Sequence, residues 1–453
     1  MKNLKFTFII LLILIFFYQI PKCVEWLLGH AMFSRIHIEI VWVQVLCDAI
    51  GMLIALLFFL SITYKKYWDG NTFKKVIPSV SFVIGLLLTF FIVKEAYRSL
   101  RAIDKLYTHY KNNTGVLGDV FMADDTLGHR GVPNGDGKTV YALSNSKIEV
   151  PIKLDANGYR VPVSSQKAER DSLMMFLGCS FTWGDYVLAE QNYASLVADS
   201  LHYTPLNCGV DAYGLAQMLI LAERNIVKYH PKVLSVQYSP WLADRARFMF
   251  YPTIYGEMPY PFFTGNDKQE LALHLPYFRS SLYNPANRLF KTSPVSFSDK
   301  VSFFFKVGVP MLVDTWKKQS FLLGMRLGIV PSSEPDNKKI EQYVYQRIHK
   351  LCKDNGVKLV VINIGGFGYT DEERMTNHYD RKRFNTSLPS LAKEVLFIDA
   401  DSVLRVGIKA NEKYSKYVHW GKNSPIDSAI YDNHPNPMAH KIIAETFVKG
   451  LKK

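Results

Sequence analysis

The chain has 453 residues, a formal net charge of +14, 48% hydrophobic residues and 14% aromatic residues. That length exceeds one ordinary domain. The basic excess comes without zinc-ligand spacing, an RNP-like aromatic motif or a long Lys/Arg tract, so no nucleic-acid partner is expected.

Behind Lys2 and Lys5, residues 6–20 are almost wholly apolar. They resemble a signal peptide, but Pro21-Lys22-Cys23-Val24-Glu25-Trp26 offers no small-x-small cleavage site. The segment is read as an uncleaved helix, and Lys22 before Cys23 argues against lipid attachment there. Further apolar runs at about 41–64 and 76–93 are long enough to cross hydrocarbon, so residues 1–95 are expected to form a transmembrane region of three helices. Lys2 and Lys5, with Lys65, Lys66, Lys74 and Lys75 between the second and third runs, mark the cytoplasmic side. The expected location is therefore the cytoplasmic (inner) membrane, multi-pass, with the C-terminal domain on the extracytoplasmic, periplasmic side. Asp48, inside the second run, is read as lying near the outer interface or packing on a neighbouring span, with a functional buried carboxylate as the alternative. Residues 96–111 carry Tyr97, Leu100, Ile103, Tyr107 and Tyr110 at helical spacing and predict a juxtamembrane stalk helix.

Residues 112–165 are rich in Gly, Asn and Asp, with short alternating runs at 139–143 and 148–154 and turn signals at Pro133-Asn134-Gly135 and Asp155-Ala156-Asn157-Gly158. They predict a small β appendage. From residue 166 to 453, strand and helix signals alternate. Strands are expected at 173–177, 205–208, 233–238, 358–364 and 395–398. Helices are expected at about 191–201, 215–229, 338–355 and 437–449. The fold class is α/β, a three-layer, doubly wound parallel sheet. A long aromatic and basic insertion at about 242–334 interrupts it, with Phe248, Phe250, Tyr251, Tyr255, Tyr260, Phe262, Phe263 and Phe303-Phe304-Phe305. It predicts a lid or substrate wall, a surface resting on the membrane, or a helical subdomain with its own core.

The chemistry centres on Leu173-Met174-Met175-Phe176-Leu177-Gly178-Cys179-Ser180. Ser180 follows a buried strand at the sheet edge where ligands bind in open α/β folds. It is either the cap of the next helix or a nucleophile on a strand–turn–helix bend. Near the other end, Asp432-Asn433-His434 precedes Pro435-Asn436-Pro437, where Asn436 is a plausible N-cap and Pro437 suits the first turn of the last helix. A histidine with a carboxylate two residues earlier has the form of a general base and its orienting acid. His440, inside that helix, is read as a surface or packing residue. Cys23, Cys47, Cys179, Cys208 and Cys352 are too scattered for a disulfide framework. A local Cys179–Cys208 bridge stands as the alternative to two small buried thiols. No metal or nucleotide site stands out, and no cofactor is expected.

Three blocks in order resemble the SGNH (GDSL-type) hydrolases. Gly178-Cys179-Ser180-Phe181-Thr182-Trp183-Gly184 is similar to their first block, with Cys179 in place of the usual Asp. Asn207-Cys208-Gly209-Val210-Asp211-Ala212-Tyr213-Gly214 is similar to the second, and Asp432-Asn433-His434-Pro435-Asn436 to the last. Leu154-Asp155-Ala156-Asn157-Gly158-Tyr159-Arg160 resembles the lead-in of bacterial members. The resemblance implies a flavodoxin-like sheet, Ser180 as nucleophile, His434 as general base and acid, and Asp432 as its partner. It also implies an oxyanion hole from the N–H groups of Ser180 and Gly209. The family's third-block asparagine is absent, since Ser239-Pro240-Trp241 follows the third strand; Asn207 or Ser239 is the substitute donor available. The implied function is a membrane-anchored serine esterase or O-acyltransferase, with the lipid bilayer, an acylated envelope or secreted polysaccharide and envelope-polymer assembly proteins as partners. The alternatives are a catalytically inactive glycan-binding or envelope assembly protein and a lipid-directed esterase.

Overall fold

A computed structural model describes residues 115–142, 147–163, 170, 172–247, 249–253, 256–265, 270–276, 298, 335–365, 380–406, 418–419 and 432–452. The chain divides into two compact units, 1–101 with 315–330, and 102–314 with 331–453; every described residue belongs to the second. The three apolar segments with Asp48, the stalk and most of the insertion lie outside the described residues. Among the described residues no helix is long and apolar enough to cross a membrane.

The unit opens with an antiparallel appendage. Strands β1 (Gly115–Gly118), β4 (Asp136–Ala142), β5 (Lys147–Leu154) and β6 (Arg160–Val161) form one sheet in that order, and β2 (Phe121–Asp124) pairs with β3 (Gly128–Gly131). The appendage is bound to the α/β core by buried polar contacts. His129 Nε2–H donates to the Asp211 carbonyl at 3.0 Å, Tyr213 Oη donates to the His129 carbonyl at 2.5 Å, and Asn225 Nδ2 donates to Tyr159 Oη at 2.7 Å.

The main sheet has five parallel strands: β7 (Leu173–Leu177), β8 (Thr204–Asn207), β9 (Val233–Tyr238), β14 (Lys358–Asn363) and β15 (Leu396–Asp399), in spatial order β15-β14-β9-β7-β8. Counted along the chain this is order 2-1-3-4-5, the flavodoxin-like arrangement. Both faces of such a sheet are covered, so its strands read as continuous apolar runs; all six residues of β9 are buried. The chain moves to one side after β7 and reverses after β8. Right-handed crossovers then place α2 (Tyr193–Ser200) on one face, and α3 (Leu215–Tyr229) with α5 (Asn337–Asp354) on the other. The contacts agree, with α3 packed on α5, and α2 packed on the last helix, α9 (Pro437–Leu451).

Caps set the helix ends. Asn192 Oδ1 accepts from Ala194 N–H at 2.7 Å at the start of α2, and Asn436 Oδ1 accepts from Ala439 N–H at 3.0 Å at the start of α9, with Pro437 first in the helix. Helix α3 ends on His230 in the left-handed region (φ 45°), just before Pro231. Most expected elements shift by only a residue or two, and 173–177, 215–229 and 233–238 coincide with β7, α3 and β9.

The insertion begins differently from a helical subdomain. After α4 (Pro240–Arg245) come two hairpins, β10 (Phe250–Thr253) with β11 (Gly256–Pro259), and β12 (Phe262–Gly265) with β13 (Leu271–His274). Tyr260 and Phe263 join the main hydrophobic core instead of facing a membrane or solvent. Later described elements are the short helices α6 (Arg381–Ser387), α7 (Leu391–Glu394) and α8 (Ala400–Val406), and the strand pair β16 (Val418–His419) and β17 (Asp432–Pro435).

Candidate active site

Strand β7 ends at Leu177, at the switch point between β8 and β9, where open α/β sheets leave a crevice. Gly178 turns the chain there. A Cβ on it would lie 1.9 Å from Thr182 Oγ1 and 2.5 Å from Gln237 Oε1, so no larger residue fits. Gly209, after β8, is equally constrained, since a Cβ would sit 2.7 Å from Trp183 N and Thr182 Cβ. These glycines let the nucleophile turn and the β8 loop pack backbone to backbone.

The one-turn helix α1 (Ser180–Trp183) starts at once, with Cys179 extended before it and no side-chain cap. Ser180 is thus the first helical residue, and the capping reading of it does not hold. Its hydroxyl, almost fully buried, lies 2.8 Å from His434 Nε2, across 254 residues of sequence. His434 sits in β17, just before α9, with Phe181 and Tyr186 against its ring at centroid separations of 5.1 Å and 5.2 Å. Asp432 stands two positions earlier in the same strand, the spacing that returns to one face of an extended segment. Its side chain lies outside the described part of the structure.

Two of the groups expected at the oxyanion hole, Gly209 and Asn207, already have hydrogen-bond partners. Gly209 N–H donates to Asn207 Oδ1 at 3.0 Å, and Asn207 Nδ2 donates to the Thr182 carbonyl at 2.8 Å. Ser239, the other substitute donor, gives its hydroxyl proton to the Ile364 carbonyl at 2.5 Å and accepts from Gln237 Nε2 at 2.8 Å. The buried Gln237 fills the space behind the nucleophile turn. Its Oε1 accepts from Cys179 N–H at 3.1 Å and from Thr182 Oγ1 at 2.8 Å, and its Nε2 also lies 3.3 Å from Cys179 Sγ. Trp241 Nε1–H points at the same sulfur at 3.4 Å. A glutamine at the end of β9 therefore orders the backbone that presents Ser180.

Other residues at the site carried no sequence signal of their role. Asp185 Oδ2 lies 3.6 Å from His434 Nε2, the nitrogen that faces Ser180. Tyr186 follows in the left-handed region (φ 70°), a strained conformation for a non-glycine that costs about 1–3 kcal/mol and is kept only where surroundings enforce it. Arg160 from β6 supplies that enforcement. Its guanidinium donates to the carbonyls of Trp183 (3.0 Å), Gly184 and Val187 (2.5 Å), and covers the Trp183 ring at 5.5 Å. Two asparagines, Asn192 and Asn207, share the Thr182 carbonyl, so the acceptors left at the end of α1 are met by side chains from elsewhere. The glycines at 178 and 184 mark the turn, but nothing local reveals what reaches it from β6 and β9.

His440 is fully buried and is a packing residue; its Nδ1 accepts the orphan Tyr193 N–H at the start of α2 at 3.2 Å. Cys179, Cys208 and Cys352 are buried free thiols, so no Cys179–Cys208 bridge exists. Burial pushes the Cys208 thiol up to about 12. Among the described residues no group of His, Cys, Asp and Glu side chains has a metal-binding arrangement.

No family model matches the chain, and no curated protein matches it. Solved structures do. The acetylxylan esterase Axe2 of Geobacillus stearothermophilus is 11% identical, with 64% of this chain and 97% of that one covered, at a TM-score of 0.33. A protein of Desulfitobacterium hafniense assigned to the G-D-S-L family is 11% identical over 62% and 99% of the two chains, at a TM-score of 0.31. LAE5, an alpha/beta hydrolase enzyme from the metagenome of Lake Arreo, is 9% identical over 64% and 98%, at 0.33. Likeness this distant leaves the assignment to the chain's own strand order and side chains. With Ser180 after the first sheet strand, Gly209 after the second and His434 before the last helix, the described α/β domain resembles the SGNH (GDSL-type) hydrolases in strand order and site plan.

Proposed function

We propose that the protein is a serine esterase or O-acyltransferase of SGNH type, anchored by its N-terminal apolar segments in the cytoplasmic membrane and acting outside it. Its substrate is an acyl ester, acetyl above all, of an envelope or secreted polysaccharide. The observation that carries the chemistry is the 2.8 Å contact between Ser180 Oγ and His434 Nε2. That is the reach a general base needs to take the hydroxyl proton. The anchor rests on the hydropathy and charge of residues 1–95, and the polymer on the family resemblance.

In the reaction, Ser180 Oγ attacks the ester carbonyl carbon while its proton passes to His434 Nε2. The tetrahedral intermediate collapses, the carbon–oxygen bond to the alcohol breaks, and Nε2 returns the proton to the departing oxygen. Water, or a sugar hydroxyl in a transferase, then attacks the acyl-serine with His434 again taking the proton, which frees Ser180. Asp432 is assigned to orient the imidazole and stabilise its cation.

The oxyanion rests on Ser180 N–H, at the first position of α1, where helical amides have no intrahelical acceptor. Gly209 N–H reaches it only by leaving Asn207 Oδ1. One missing oxyanion donor costs about 2.7–4 kcal/mol of transition-state stabilisation. The same thin oxyanion hole supports the second reading, an inactive domain that binds glycan.

The test is ester turnover by the full chain beside Ser180→Ala and His434→Ala. Turnover of an acetylated sugar that falls at least about a hundredfold in both variants is the expected result. Equal, negligible rates in all three folded proteins, with retained glycan binding, would establish the inactive reading. Added sugar acceptor separates the two chemistries: acetylated acceptor marks a transferase, free acetate alone a hydrolase.

A further inference from the structure

We propose that Trp241 is an oxyanion donor, its indole N–H passing from Cys179 Sγ to the ester's carbonyl oxygen as negative charge develops there. This rests on the catalytic reading of Ser180 and His434 and names a further catalytic residue of that site.

The sheet brings Trp241 to the site. Strand β9 lies next to β7, so the chain leaving β9 meets the nucleophile turn at the same carboxyl edge. Trp241 comes three residues after Tyr238, the end of β9, in the segment where the family's asparagine is missing. Its Nε1–H points at Cys179 Sγ at 3.4 Å, and that sulfur lies 3.9 Å from Ser180 Oγ. Two departures from the family pattern, Cys179 and Trp241, thus touch each other beside the reacting oxygen. Phe181 packs edge-to-face on both His434 and Trp241, at 5.1 Å each, so base and indole share one aromatic neighbour. The indole is only partly buried, which leaves part of it open to a ligand, and the Arg245 guanidinium adds positive charge 6.0 Å from its ring.

Acceptor strength decides which donor moves. Gly209 N–H is held by Asn207 Oδ1 at 3.0 Å, Asn207 Nδ2 by the Thr182 carbonyl at 2.8 Å, and the Ser239 hydroxyl by the Ile364 carbonyl at 2.5 Å. Releasing any of these takes a donor from an oxygen acceptor among buried groups. Trp241 N–H is held by a thiol sulfur, a weak acceptor that loses little when the donor leaves. Cys179 Sγ also keeps a second donor, Gln237 Nε2, at 3.3 Å. An N–H···O⁻ bond is roughly twice as strong as a neutral one, so trading sulfur for oxygen is favourable once the oxyanion has formed. A donor with that preference stabilises the transition state more than the bound ester. The proton stays on Nε1 throughout; only its hydrogen-bond acceptor changes.

The test makes two replacements at this position in the full chain: Trp241→Phe, and benzothienylalanine, which keeps the bicyclic shape but has sulfur in place of the N–H. Turnover of an acetylated sugar should show kcat lower by about a hundred- to thousandfold in both, the cost of one oxyanion donor. KM should stay at the parental value, because the bound ester does not use the donor. The benzothienyl variant guards against a packing defect in the phenylalanine one. Loss of kcat in Trp241→Phe alone, parental kcat in both, or a raised KM at parental kcat would overturn the assignment, and with Ser180→Ala inactive would leave the catalytic reading intact. Failure of the native protein to turn over ester, with Ser180→Ala indistinguishable from it, would overturn the catalytic reading and this assignment together.

Discussion

Replacing Arg160 by lysine isolates the contribution of the appendage to the nucleophile turn. Arg160 is 5% exposed and gives three hydrogen bonds to the carbonyls of Trp183, Gly184 and Val187. Lysine keeps the charge but replaces a planar five-donor fork with a single ammonium on a flexible stem. It cannot serve three carbonyls spread over five residues, and its ammonium lacks the planar face that the guanidinium brings over the Trp183 ring at 5.5 Å. Losing two of three hydrogen bonds between a charged donor and buried carbonyls costs about 3–5 kcal/mol. For a unit of this size that corresponds to a thermal midpoint lower by about 6–20 °C. The assay is a melt of the full chain followed by intrinsic fluorescence, paired with ester turnover at 25 °C. Both should fall, because the same carbonyls flank Asp185 and Tyr186 and close the helix that begins with Ser180. A variant that melts within about 2 °C of the parent and turns over ester at the parental rate would refute the clamp.

Two further outcomes follow from buried titratable groups. Burial holds His129 at about 4, against its ordinary 6.5, with the Asp211 and Asp124 charges opposing in part. The unfolded chain then binds the extra proton first as pH falls. This group's contribution is complete above pH 6.5 and is lost between there and about 4, on the order of 3 kcal/mol. Urea midpoints measured from pH 7 to 4 should fall accordingly, and His129→Gln should flatten that slope; an unchanged slope would refute the attribution. Cys208 and Cys352, each raised to about 12 by burial, should resist iodoacetamide at pH 8 in the folded protein and react on unfolding. Rapid alkylation of either under native conditions would show that the β8 end or the α5–β14 corner opens.

Local order was legible in the chain because it depends on neighbours in sequence. Alternating and continuous apolar runs define β7, β9 and α3 to the residue, and Asn192, Asn436 and Pro437 punctuate helices by caps that act within one turn. Ser180 and His434 were identifiable for a related reason, since each sits in a short block whose glycines, proline and cap dictate a particular bend. Their approach to 2.8 Å is a property of sheet order, which brings the end of β7 and the start of α9 to one edge. The same long-range packing decided what sequence reading could not. Arg160 lies in the lead-in to the domain, yet only the docking of the appendage shows that it holds the turn beyond Ser180. Asp185 looks like an ordinary polar residue after Gly184, and only the folded chain sets its carboxylate beside His434. Asn207 and Ser239 carry the right groups to replace the absent asparagine, but their hydrogen bonds go to Thr182 and Ile364. Donor chemistry is written in residue type, whereas the direction in which a buried donor points is settled by whichever acceptor the tertiary structure brings nearest.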